Sequence, residues 1–273
     1  MAPIRWAFHS FVYTQQLRVE DSWHLLAEDA RLAGFHGVEV FLDDFASDEQ
    51  TRRIGAAFSG EGIEVLGASF ASHLYDAASH AETLDLIDRL TDRLAEVGGS
   101  ILGLSGSQPE RLKTEEEFAQ QADLVARIVE LVAPKRLEVA YHTYPQDAAD
   151  DCREIRELTN RLGPDILRLG PDLGWLEFAG VSAAEFIRRF GDRIDFVHLR
   201  DESLGVWPEA VGGGAVDWPA VVSELRQIGY DGWWCVELAD SEDVDYVIPL
   251  RERHRQSREY LERLLTAPGI AGP

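Results

Sequence analysis

Ile194-Asp195-Phe196-Val197-His198-Leu199-Arg200-Asp201 is the stretch on which the fold turns. It opens as a short apolar run of strand type and closes on an imidazole, a guanidinium and a carboxylate. Three other apolar runs end in a similar way: Leu137 to His142, Ile166 to Asp172, and Trp233 to Leu238, which carries Glu237. Each of these side chains can bind a divalent cation. Four such strand ends imply parallel strands whose C-terminal ends share one site.

Outward from these runs the chain alternates strand and helix. Ile4 to Phe11, Gly37 to Phe41, Ile63 to Phe70 and Ser100 to Gly106 read as the first four strands. Helices fill the intervals. Asp21 or Ser22 caps the first, with Leu25, Leu26, Ala30 and Ala33 as its apolar face and Gly34 at its end. Ser47 with Gln50, Thr114 with Glu117 and Ser182 with Glu185 have capping-box spacing. The third interval holds a long helix from about Ser79 to Val97. Pro134 stops the fourth helix, Gly163-Pro164 closes one from about Asp147, and Gly191 ends the next. Asp217 and Pro219 open a helix that ends at Gly229, and a polar helix runs from about Leu250 to Leu265.

About eight strand–helix units predict an α/β chain folded as a single (β/α)₈ TIM barrel over residues 1–265, with 266–273 as a flexible tail. An open doubly wound sheet would want a glycine-rich phosphate loop after the first strand. Phe8 to Tyr13 supplies none, so dinucleotide binding is set aside.

The composition agrees. The 273 residues are 45% hydrophobic and carry a formal net charge of -23. That field repels polyanions, so nucleic acid and anionic membrane surfaces are not expected partners. Cys152 and Cys235 form no CxxC or zinc spacing, which fits a reducing cytoplasm. Met1 to Arg5 lacks an apolar leader core, and no run is long enough to span a membrane, so a cytoplasmic location is expected.

The chemistry is expected at the strand ends. His142, Asp172, His198 and Glu237 form a set of two imidazoles and two carboxylates. This set suits Mn²⁺ first, with Co²⁺, Fe²⁺, Zn²⁺ or Mg²⁺ as alternatives. Glu237, His142 and Arg200 are the candidate catalytic groups. Arg200, Asp201, Glu39, His73, Tyr144, Trp175 and Trp207 are candidates for substrate contact, the tryptophans as an aromatic floor. His9 and His73 could each line the pocket, though hydrogen-bonded packing is the ordinary role of such residues. Trp218, Trp233 and Trp234 are expected in the core. Gly212-Gly213-Gly214 lacks the Lys and Ser/Thr of a phosphate loop.

The C-terminal hundred residues resemble the xylose-isomerase-like barrel family, the sugar isomerase/epimerase group that also contains endonuclease IV. The stretches are Pro171-Asp172-Leu173-Gly174, Val197 to Asp201, Gly212 to Pro219, and Gly229 to Trp233 leading into Val236-Glu237. The resemblance implies a metal held by Asp172, His198 and Glu237, and proton abstraction beside the carbonyl of a sugar, keto-sugar or cyclitol. His142 stands where the family's epimerases have a Glu. Tyr141-His142 is similar to the inosose dehydratase branch. Trp175 and Tyr144 stand where a His is usual. The loss of one carboxylate from the epimerase pair favours dehydration, a β-elimination, over epimerisation or isomerisation. A non-catalytic sugar-binding barrel is the other reading, and a homo-oligomer or a partner subunit is compatible with either.

Overall fold

The computed structural model describes residues 3–18, 22–109 and 111–267. Eight strands form one sheet: β1 (Arg5–His9), β2 (Gly37–Phe41), β3 (Glu64–Ser72), β4 (Ile101–Gly106), β5 (Glu138–His142), β6 (Arg168–Gly170), β7 (Phe196–Leu199) and β8 (Trp233–Val236). The spatial order is β6-β5-β4-β3-β2-β1-β8-β7 and the neighbours pair in parallel. Two isolated parallel bridges, Leu169 to Ile194 and Asp172 to His198, join β6 to β7 and bring the sheet round into a TIM barrel.

Ten α-helices are described between and after the strands: α1 (Phe11–Gln16), α2 (Trp23–Ala33), α3 (Asp48–Glu61), α4 (His80–Glu96), α5 (Glu115–Val132), α6 (Pro145–Arg161), α7 (Leu173–Phe178), α8 (Ala183–Phe190), α9 (Trp218–Gln227) and α10 (Leu250–Thr266). Local chemistry sets their ends. Thr114 Oγ1 accepts from Glu117 N at 3.3 Å while Glu117 Oε2 accepts from Thr114 N at 2.7 Å, a reciprocal cap. Ser47, Ser182 and Asp217 cap α3, α8 and α9. Ser22 precedes α2 without a side-chain cap, and Asp21 lies outside the described residues, as do 268–273 of the expected tail. Leu26, Ala30 and Ala33 are buried as read, but Leu25 is exposed.

Several boundaries differ from the sequence reading, and three of them bear on the site. The first strand stops at His9, not Phe11, because His9 Nδ1 accepts from Phe11 N at 2.9 Å and Ser10 O accepts from Tyr13 N at 3.0 Å, turning the chain into α1. Residues after Asp172 form α7, a helix for which the sequence reading had no element, because the Asp172 carboxylate accepts from Trp175 N at 3.0 Å and starts a helix. The helix after β5, α6, begins at Pro145, not Asp147, with Asp147 Oδ2 accepting from Tyr144 N at 2.7 Å. Inside α6, Asp150, Asp151 and Cys152 have φ of 56°, 58° and 57°, a left-handed interruption of the helix.

Strand alternation sorts the side chains into two layers. Phe8, Tyr141, Val197 and Trp234 face the helices in the larger core. Ala7, Ala140, Phe196, Trp233 and Cys235 pack with Leu66 and Ile101 in a smaller cluster inside the barrel. The next inward positions, two residues further along, are His9, His142, His198 and Glu237.

Candidate metal centre and pocket

That inward step delivers the polar groups to one end of the barrel. One ligand atom each from His142, Asp172, His198 and Glu237 lies within 4.8 Å of every other, and all four residues are buried. Donors about 2.0–2.2 Å from a shared ion stand at most roughly 4.4 Å apart, so a contraction of a few tenths of an ångström completes a shell.

The unpaired atoms agree. His142 Nδ1, His198 Nδ1 and Glu237 Oε2 are buried without a hydrogen-bond partner. His198 Nδ1 and Glu237 Oε2 approach to 2.9 Å yet are not aligned as donor and acceptor. Buried polar atoms without partners are rare and call for an occupant, and a cation between this nitrogen and this oxygen would serve as one. The residues present therefore fit a divalent metal. Nitrogen and carboxylate donors together suit the borderline ions of the first transition row and Zn²⁺.

The remaining contacts hold the donors in place. Glu39 Oε2 accepts from His198 Nε2 at 2.5 Å. Asp172 N donates to Thr143 Oγ1 at 3.1 Å, and Asp172 Oδ2 accepts from Arg200 Nε at 2.8 Å. A second arm of Arg200 contacts Glu237 Oε1. The guanidinium lies 4.9 Å from the Trp207 ring and 5.3 Å from Trp175. Gly174 is required beneath it, since a Cβ there would stand 2.9 Å from Arg200 Cγ.

Charge follows contact. Burial raises the carboxyl pKa of Glu237, but Arg200, His198 and His9 outweigh it and hold the group well below the usual range. Burial disfavours the His198 imidazolium, but Glu39 and Glu237 reverse this and raise its pKa. Burial lowers the His9 pKa, and its Nε2 is paired with Ser69 Oγ at 2.9 Å.

Above the donors is a cavity of about 110 Å³, lined by His9, Phe11, Phe41, Ser69, Ser105, His142, Tyr144, Trp175, His198, Arg200 and Glu237. This is small beside drug-sized pockets and fits a small polar ring. Tyr144 and Trp175 line it as expected. Trp207 backs it, packed edge-on to Trp175 at 4.5 Å.

Three expected substrate contacts are placed elsewhere. Glu39 is fully buried beneath His198 and does not line the cavity. His73 is exposed and paired through Nδ1 with Ser107 Oγ at 2.6 Å, outside the cavity. Asp201 accepts from the backbone N–H of Glu202, Gly212, Gly214 and Val216 and from Trp218 Nε1 at 3.0 Å, so it folds the glycine loop. Phe11, Phe41, Ser69 and Ser105 were not singled out in the sequence. The period-two count from the inward Gly37, Gly67 and Ile101 would have flagged the last three.

Comparison with known proteins gives the same barrel. The profile of a family described as the xylose isomerase-like TIM barrel matches residues 27–264. An inosose dehydratase of Geobacillus thermodenitrificans is 25% identical, over 94% of this chain and 96% of that relative. A solved sugar phosphate isomerase/epimerase from Parabacteroides distasonis superposes with a TM-score of 0.77 at 15% identity, covering 99% of this chain and 96% of that one. A D-allulose 3-epimerase from Methylomonas sp., solved with D-allulose, gives 0.78 at 16% identity over 95% and 96%.

Proposed function

This chain belongs to the xylose isomerase-like TIM barrel family, and from that premise we propose that it is a metal-dependent dehydratase acting on a cyclitol or keto-sugar. The observation that carries the reading is the acid count at the cavity. Among the described residues Glu237 is the one carboxylate lining it. Epimerisation at one carbon exchanges protons on opposite faces and is served by a pair of carboxylates. Elimination needs one base and an acid for the departing hydroxyl. The relative named inosose dehydratase, similar along nearly its whole length, supports the same choice.

His142, Asp172, His198 and Glu237 would hold the ion. When bound, it acts as a Lewis acid that polarises the substrate carbonyl and spreads the charge left when the neighbouring carbon loses its proton. Glu237, kept ionised by Arg200, takes that proton. Arg200 lines the cavity and has N–H groups left for a substrate oxygen. Tyr144 lines the cavity and offers its phenol O–H as the proton donor to the departing β-hydroxyl. The C–O bond breaks as the C=C bond forms, and the hydroxyl leaves as water. Trp175 and Trp207 cover the ring and exclude solvent.

The ligand is uncharged. Arg200 is the one Arg or Lys side chain among the lining residues, and it is already committed to two carboxylates, so no cation is left for a phosphate. The two cysteines are free and buried, which suits a reducing cytoplasm. No helix among the described residues is long and apolar enough to cross a membrane.

A second reading, ketose 3-epimerase, has the solved epimerase in its favour. Incubation with a keto-cyclitol and Mn²⁺ in D₂O separates the two. The expected product is lighter by one water. Deuterium in a ketose of intact skeleton, with no dehydrated product, would overturn the order. Chelation should abolish turnover and Mn²⁺ restore it; full activity after chelation would remove the metal from the account.

A further inference from the structure

Glu39 is fully buried on β2, 159 residues from His198, and does not line the cavity above the donors. Its Oε2 accepts a hydrogen bond from His198 Nε2 at 2.5 Å, and its Oε1 has no hydrogen-bond partner. Among the described residues, the other polar contact of Oε2 is the weak one from Cys235 Sγ at 3.8 Å. The room for this carboxylate comes from Gly103 on β4, where a Cβ would stand 3.0 Å from Glu39 Oε1. A carboxylate with no solvent and one strong partner is costly to bury, and a packing role would be filled better by an apolar residue.

The geometry points to Glu39 as the positioning residue of the metal centre: it pins the imidazole of His198 with Nε2 as the protonated nitrogen, so that the Nδ1 lone pair faces the ion. His198 Nδ1 is on the donor side of the ring, 2.9 Å from Glu237 Oε2 and without a hydrogen bond of its own. A carboxylate behind a metal-bound imidazole fixes tautomer and ring plane and raises its basicity. The inference rests on the metal reading of the site, and its test is read separately from that reading.

The test measures Mn²⁺ binding by calorimetry in the native protein and in Glu39→Gln, which can keep the hydrogen bond but not the charge. The expected result is a Kd weaker by about 10–100-fold in the variant, with thermal stability of the metal-free protein little changed. A Kd within about twofold of native would overturn the role of Glu39. Absence of Mn²⁺ binding in the native protein would instead sink the metal centre itself. A measurement on the native protein covers the case in which the variant fails to fold. In ¹⁵N-histidine spectra taken with Zn²⁺, His198, assigned by its loss in His198→Gln, should keep its Nε2 proton while Nδ1 shifts. A shift at Nε2 instead would refute the arrangement.

Discussion

His142 is the residue on which the chemistry is most exposed to test. It supplies one of four donors, and its Nε2 stands 3.7 Å from Asp172 Oδ2. His142→Ala should weaken Mn²⁺ binding by more than about 100-fold, beyond the range of a supporting residue, with turnover falling in step. Calorimetry and rates measured together check this; native affinity would remove His142 from the shell. Asp201 should behave in the opposite way. Five donors converge on it, so Asp201→Ala should cost about 3–5 kcal/mol of stability by urea unfolding, while KM of the folded fraction stays near native. A raised KM at unchanged stability would return Asp201 to the substrate. The sequence grouped Arg200 and Asp201 as neighbours in one site. Their side chains point to opposite sides of the strand end, and one serves the cavity while the other serves the loop.

At the level of elements, a buried polar clasp ties the loop after β4 and helix α5 to β5 and α6. Lys113 Nζ donates to Gln121 Oε1 at 2.7 Å and to Glu154 at 2.8 Å, and Tyr141 OH donates to Glu154 at 2.9 Å. Lys113→Met should destabilise by about 3–5 kcal/mol in chemical denaturation, because Glu154 would stay buried without its cation. A loss under about 1 kcal/mol would mean that Glu154 finds another partner. The left-handed turn in α6 makes the reverse prediction. Asp150 is exposed at φ 56°, so Asp150→Gly should raise stability by about 0.5–1 kcal/mol in the same assay, and a decrease would contradict the strained conformation. Helix starts were legible where a cap and its partner lie three residues apart, as at Thr114 and Glu117. α7 was not, because Asp172 was read as a metal donor and its second oxygen caps a helix.

For the whole molecule, acid should loosen the closure of α10 on the barrel. His254 on α10 lies among Phe8, Tyr13 and Phe35, 4.5 Å from the Phe8 ring, and burial lowers its pKa from 6.5 to about 3. The unfolded chain therefore binds the proton between pH 6.5 and about 3 and the folded chain does not, so stability from this group falls as pH drops through that window. The slope approaches about 1.4 kcal/mol per pH unit. His254→Leu should remove that slope when urea midpoints are compared between about pH 7 and 4; parallel profiles would show that His254 titrates alike in both states. The amino-acid order by itself made legible the strand–helix alternation, the caps at Ser47, Thr114, Ser182 and Asp217, and the four polar strand ends, because hydrophobic period, capping spacing and polar strand ends are local features. Tertiary structure alone decided that Glu39 lies beneath His198, that His73 faces solvent, that Asp201 holds a loop and that Phe11 reaches the cavity. Those outcomes depend on pairing strands far apart in the chain and on the tilt at which the sheet closes, and no local pattern encodes either.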